Sequence, residues 1–181
     1  VASSKTLIDN ASRKYLKGIR FTGCHPMAGS AKTGIANADA DLFQGASCFM
    51  TNMDKRVEKF WNALGSKVLY LTPQKHDEWV AWVSHLPHVL AFTLFQSAGA
   101  KRLTQFGIQA SNPSIQDLAR LSKSDPKLWA DILISNRAQI LRSLQEHEAG
   151  IRQLRKALSS KNAKALENFI HRANGSSQKL A

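Results

Sequence analysis

Apolar positions along the first part of the chain alternate between two spacings. Leu7, Ile8, Ala11, Tyr15 and Leu16 recur at helical spacing and predict an amphipathic helix over 6–16, with Ser3 and Ser4 ahead of it and Gly18 closing it. Val57, Phe60, Trp61 and Leu64 mark a second helix over 55–64, ended by Gly65. Short apolar runs lie between: the end of a strand at 1–5, a run through Ile19 and Phe21 leading into a glycine-rich loop, and strands at 46–51 and 67–71. Strands alternating with helices imply parallel pairing, so residues 1 to about 72 read as the second half of a Rossmann-like, doubly wound α/β sheet.

After Thr72-Pro73 the strand signals stop, and a domain boundary is expected there, dividing 1–72 from an all-α part over 73–181. Pro73 starts a helix through Val80, Leu86, Leu90 and Leu94, bent near Pro87, which lacks a backbone donor. Residues 99–113 are looser, and 115–121 form a short helix. Ser124-Asp125-Pro126 reads as an N-terminal cap opening one long helix to about Leu158, striped by Leu133, Ile140, Leu144, Ile151, Leu154 and Leu158. A last helix over 163–173 is expected to stop at Asn174-Gly175. A long apolar stripe with few short neighbours calls for a partner surface.

Composition narrows the class. With 181 residues and 43% hydrophobic, the chain can bury a core of its own. No run approaches a membrane span and no secretory leader is visible at the N-terminus, so a soluble, cytoplasmic protein without membrane partners is expected. Cys24 and Cys48 are too few for a disulfide scaffold, and no metal-ligand spacing occurs. A net charge of +12 is one footprint of a nucleic-acid binder, but Lys and Arg are scattered, with no basic arm, finger or helix-turn-helix pattern. The expectation is no nucleic acid; such charge equally steers a small dianion.

The chemistry concentrates in Thr22-Gly-Cys-His-Pro-Met-Ala-Gly-Ser-Ala-Lys-Thr-Gly34. Ligands of open α/β sheets bind beyond the carboxyl ends of strands, which is where His25 would stand as an acid or base. Alone, a histidine in such a turn serves a structural role as readily as a catalytic one.

His25-Pro-Met-Ala-Gly-Ser-Ala-Lys-Thr-Gly34, Ala38-Asp-Ala-Asp-Leu-Phe43, Ser84-His-Leu-Pro-His88 and Ser124-Asp-Pro-Lys-Leu-Trp-Ala-Asp-Ile132 occur in this order. Together they resemble the successive motifs of the prephenate/arogenate dehydrogenases of tyrosine biosynthesis, over nearly the whole chain. The family's opening Gly-x-Gly-x-x-Gly turn has no counterpart here, and the first residue is Val, so a truncated chain that is inactive by itself is expected.

That resemblance implies NAD- or NADP-dependent oxidative decarboxylation of prephenate, or of arogenate, by a homodimer whose helical domains interlock. Hydride leaves the hydroxyl-bearing carbon, carbon dioxide departs, and the ring becomes aromatic. His25 matches the catalytic histidine, and an unperturbed pKa near 6.5 suits a base at neutral pH. Ser3 matches the serine that positions this histidine and the nicotinamide, while Arg120 matches the arginine that takes a substrate carboxylate. His76 and His88 match histidines lining the substrate pocket, and Asp117 and Trp129 match residues at its mouth. Without the resemblance, His76 beside Asp77 reads as a surface residue, His88 as a packed helix histidine, Arg120 as a solvated helix arginine and Trp129 as a core or interface aromatic.

Two departures stand out: Ala31 where the family has an acidic residue, and Ala110-Ser-Asn-Pro-Ser-Ile115 where it has a glycine-rich loop. They leave substrate identity open, and they keep alive a second reading, a non-catalytic dimerisation or ligand-sensing module that retains the fold.

Overall fold

The computed structural model describes residues 2–29, 34–104 and 113–180. The chain forms two compact units, Val1–Ile140 and Leu141–Ala181.

The first unit opens with α1 (Thr6–Tyr15), then β1 (Cys24–Pro26), β2 (Ser47–Met50), α2 (Lys55–Ala63) and β3 (Lys67–Tyr70). The three strands make one sheet in the order β1-β2-β3. β2 and β3 run parallel, with Cys48 beside Val68 and Met50 beside Tyr70. They are joined through α2, the crossover that parallel strands require. Asp54 caps α2 by accepting the Arg56 and Val57 amide hydrogens, and Gly65, at φ 81°, takes the left-handed turn after it.

β1 departs from the expectation in two ways. It pairs antiparallel with β2, Cys24 opposite Met50 and His25 opposite Phe49. The described residues between them hold only a 3-10 turn, Ile35–Asn37, instead of a crossover helix, so the chain returns in the opposite direction. The strand also begins later than the Ile19–Phe21 run, where Ile19 is 64% exposed. Gly23 marks the start of pairing: a Cβ there would lie 3.0 Å from Thr51 Oγ1 and 3.2 Å from Lys5 Cδ. Behind the sheet, Cys24, Cys48, Met50 and Trp61 form the core, with Phe43, Val57, Leu64 and Val68 packed against it. Burying a side chain such as Met50 contributes about 1.5–3 kcal/mol. Both cysteines are free thiols.

Helices follow. Thr72 caps α3 (Pro73–Val80), with Pro73 in the first turn. A π-helical turn, Ala81–His85, leads into α4 (Leu86–Thr104). The bend expected near Pro87 takes the form of this widened turn immediately before the proline. α5 (Pro113–Ser122) follows; the expected loose segment lies largely outside the described residues, as does Ala31, although Gly99 at φ 64° breaks the helical backbone of α4. Asp125 caps α6 (Pro126–Ser135) by accepting the Leu128 amide. The single long helix expected from here is two: Asn136, at φ −111°, separates α6 from α7 (Arg137–Ser159).

The second unit holds the remainder of α7 and α8 (Ala163–Ser177), which runs past Asn174-Gly175 into a 3-10 turn, Gln178–Leu180. Gly175 keeps helical geometry because a glycine ends a helix only where it adopts positive φ. Of the α7 stripe, Ile151 and Leu158 are exposed, as is Leu141. Among the described residues no helix is long and apolar enough to cross a membrane.

Candidate active site

β1 alternates sides: Cys24 and Pro26 are buried, and His25 between them turns the other way. There it borders a cleft of about 760 Å³ whose lining includes Ser3, Ser4, Leu7, Ile8, Phe43, Asp131 and Ser135. Ser3 and His25, two of the candidates from sequence, thus share one cleft. The Ser4 hydroxyl donates to Ser135 Oγ at 3.0 Å, tying the segment before α1 to α6.

Behind His25 lies a buried polar chain. His25 Nδ1 is 2.9 Å from His76 Nε2, and His76 Nδ1 is 2.9 Å from Asp77 Oδ1. His76 is completely inaccessible and Asp77 nearly so, which overturns both the surface reading of His76 and its expected place in the lining of the substrate pocket: it stands behind His25, outside the cleft lining. Phe49 packs edge-on against the His76 ring. Asp77 also accepts the backbone N–H groups of Lys5 and Thr6 at 2.7 and 2.8 Å, so it caps the N-terminus of α1 from α3. Burial pushes the Asp77 carboxyl up, but the hydrogen bonds from His76, Thr6 and Lys5 outweigh it, and its pKa ends below the usual value.

Lys5 is buried as well, its ammonium donating to the Ala2 carbonyl, and burial brings its pKa down to about 8. This cation bears on His25. Burial first, then the charge of Lys5 and the neighbouring His76 and His85, push the His25 pKa down to about 3. The unperturbed value expected from sequence is therefore corrected: His25 is neutral across the physiological range by a wide margin.

His88, Trp129, Arg120 and Asp117 form no part of the lining of the His25 cleft. His88 donates through Nδ1 to the Ser84 carbonyl at 2.9 Å and stacks on Trp129 with centroids 3.8 Å apart. Its pKa is lowered by burial and by the charge of Arg120, which places that guanidinium in the vicinity of His88. Trp129 is buried, while Arg120 and Asp117 lie exposed on α5.

Two further residues join the groups. Asn136 Nδ2 donates to the Asp77 carbonyl at 2.8 Å and lies 3.1 Å from His85 Nδ1, and the His85 ring meets Trp129 edge-on at 6.0 Å. The amide nitrogen carries two hydrogens and no lone pair, so His85 Nδ1 accepts. Burial brings the His85 pKa down to about 4. Lys5, Asp77, His85 and Asn136 were not among the candidates from sequence. The available signals were the His76-Asp77 dipeptide, and an Asn within an apolar helical run whose side chain is worth more to the network than to the helix.

A small α/β sheet bearing a histidine at a cleft and followed by an all-helical part has the architecture of a Rossmann-like part joined to a helical domain. Residues 1–70 match the model of the prephenate dehydrogenase nucleotide-binding domain, and residues 72–172 that of the prephenate dehydrogenase dimerization domain. The chain belongs to the prephenate dehydrogenase family. It is 28% identical to prephenate dehydrogenase of Lactococcus lactis over 93% of this chain and 48% of that protein. It is 29% identical to cyclohexadienyl dehydrogenase of Zymomonas mobilis over 93% of this chain and 59% of that one. Among solved structures, Synechocystis arogenate dehydrogenase superposes with a TM-score of 0.81 at 30% identity, covering 100% of this chain and 68% of that one. Aquifex aeolicus prephenate dehydrogenase in complex with hydroxyphenyl propionate and NAD+ gives 0.84 at 26%, covering 99% and 65%. The chain spans about half the length of the curated relatives it matches.

Proposed function

We propose that this chain carries the catalytic histidine and the substrate side of a prephenate or arogenate dehydrogenase, with 1–72 the C-terminal half of the nucleotide-binding domain and 73–181 a substrate-binding and homodimerising domain. The observation that carries the reading is His25, neutral, beside Ser3 in an open cleft and held from behind by His76.

The cofactor fits in part. The apolar wall of Leu7, Ile8 and Phe43 with the Ser3 hydroxyl suits a nicotinamide ring beside His25. No Gly-x-Gly-x-x-Gly turn for the pyrophosphate occurs in the 181 residues. When bound, NAD or NADP supplies the hydride acceptor. The chain's own residues do the rest. His25 takes the proton of the substrate hydroxyl, and Ser3 positions His25 and the nicotinamide. The Arg120 guanidinium holds a carboxylate of the dianion, and His88, stacked on Trp129, offers Nε2 to the same ligand. Asp117 borders the entrance. Steady-state assays of the gene product carrying this chain, with prephenate and with arogenate and with each nucleotide, test the proposal. Formation of 4-hydroxyphenylpyruvate or tyrosine with reduction of the nucleotide is expected; no turnover of either substrate overturns it.

A further inference from the structure

The hydrogen bonds behind His25 define which of its nitrogens is basic. A carboxylate only accepts, so His76 Nδ1, 2.9 Å from Asp77 Oδ1, carries a proton. In the neutral ring His76 Nε2 is then a lone pair, and the 2.9 Å contact to His25 Nδ1 is made by a proton on His25. The other assignment, a doubly protonated His76, would place a second cation in a fully buried position against the same Asp77 carboxylate whose charge already offsets the buried Lys5 ammonium. His25 is left with its lone pair on Nε2. An imidazole free in water favours the opposite tautomer, protonated on Nε2, so the arrangement works against the ring's own preference.

We infer that Asp77 is a positioning residue which, acting through His76, holds His25 in the Nδ1–H tautomer and so makes Nε2 the nitrogen that accepts the substrate's hydroxyl proton. The inference rests on the dehydrogenase reading for the identity of that proton, but not for the tautomer. The same carboxylate receives the amides of Lys5 and Thr6. It therefore couples the state of the base to the seat of the segment that carries Ser3, two residues before Lys5. Asp77 Oδ1 takes both His76 Nδ1 and the Lys5 amide, while Oδ2 takes the Thr6 amide, so an asparagine with its oxygen at Oδ1 would leave the chain as it is. Asp77→Ala instead removes the acceptor that keeps a proton on His76 Nδ1. Both rings then fall back on the form an imidazole favours in water: His76 donates from Nε2 to His25 Nδ1, and the His25 proton moves to Nε2.

The experiment is long-range 1H–15N correlation of the histidine rings in the 15N-labelled 181-residue chain at neutral pH, with His25 signals assigned from a His25→Asn variant. In the wild type, His25 is expected to show a protonated Nδ1 and a bare Nε2; in Asp77→Ala these exchange while the amide spectrum stays dispersed. A wild-type His25 protonated on Nε2 overturns the inference, as does a folded Asp77→Ala that keeps the wild-type tautomer. If Asp77→Ala does not fold, the wild-type spectrum decides alone. A packing role for Asp77 would not move the tautomer. Failure of the dehydrogenase assays would leave this readout unchanged, so the two conclusions fail separately.

Discussion

Asp77 accepts the backbone N–H of Lys5 at 2.7 Å across 72 positions of sequence, closing the start of α1 with a carboxylate from α3. α1 has no side-chain cap of its own. Removing the carboxylate leaves the Lys5 amide and His76 Nδ1 without an acceptor in a buried place. Asp77→Ala should therefore cost about 3–5 kcal/mol, the range for breaking a buried charged network. Urea unfolding of the two proteins measures it, and a loss under about 1 kcal/mol would show that water replaces the cap.

Acid should destabilise the fold through its buried histidines. His25 and His85 have folded pKa values near 3 and 4, below the 6.5 of an unfolded histidine. Between those values and 6.5 the unfolded chain binds more protons, so stability is lost as pH falls below about 6.5. For the deeply buried His85 the loss at pH 5 is about 2 kcal/mol, from roughly 1.5 pH units at about 1.36 kcal/mol each. Unfolding midpoints at pH 7.5 and 5 check this; equal midpoints would mean that these rings titrate normally.

Association should run through the helical part. Leu141, Ile151 and Leu158 of α7 and Ile170 of α8 are exposed, a set of large apolar side chains that a soluble surface does not favour. Light scattering at micromolar concentration is expected to give a dimer mass, and Ile151→Asp together with Leu158→Asp a monomer. A wild-type monomer would remove the proposal.

Under the proposed function, His25 and Arg120 should fail differently. There His25 would act on a proton that moves in the transition state, so His25→Asn should lower kcat by roughly 100-fold or more with a modest change in KM. Arg120 would meet a carboxylate that is charged before and during reaction. Arg120→Gln should mostly raise KM, by about 1.5–3 kcal/mol for one charge-assisted contact. A normal KM for the arginine variant, or an unchanged kcat for the histidine variant, takes that residue out of the site.

Features with local causes could be read from the residues alone. Gly65 after α2, Thr72-Pro73 before α3 and Asp125-Pro126 before α6 act on backbone groups within four residues, and each sits where the structure uses it. His25 was legible as a candidate because it stands in a motif, and Ser3 through the family resemblance; the structure brings them to one cleft. Features with distant causes needed the fold. The antiparallel pairing of β1 depends on what lies between the strands, which periodicity does not report. The break at Asn136 answers to His85 and the Asp77 carbonyl, 51 and 59 positions away. The state of His25 is set by a lysine and two histidines that only the fold gathers, because desolvation and charge act through space and leave no mark on residue spacing.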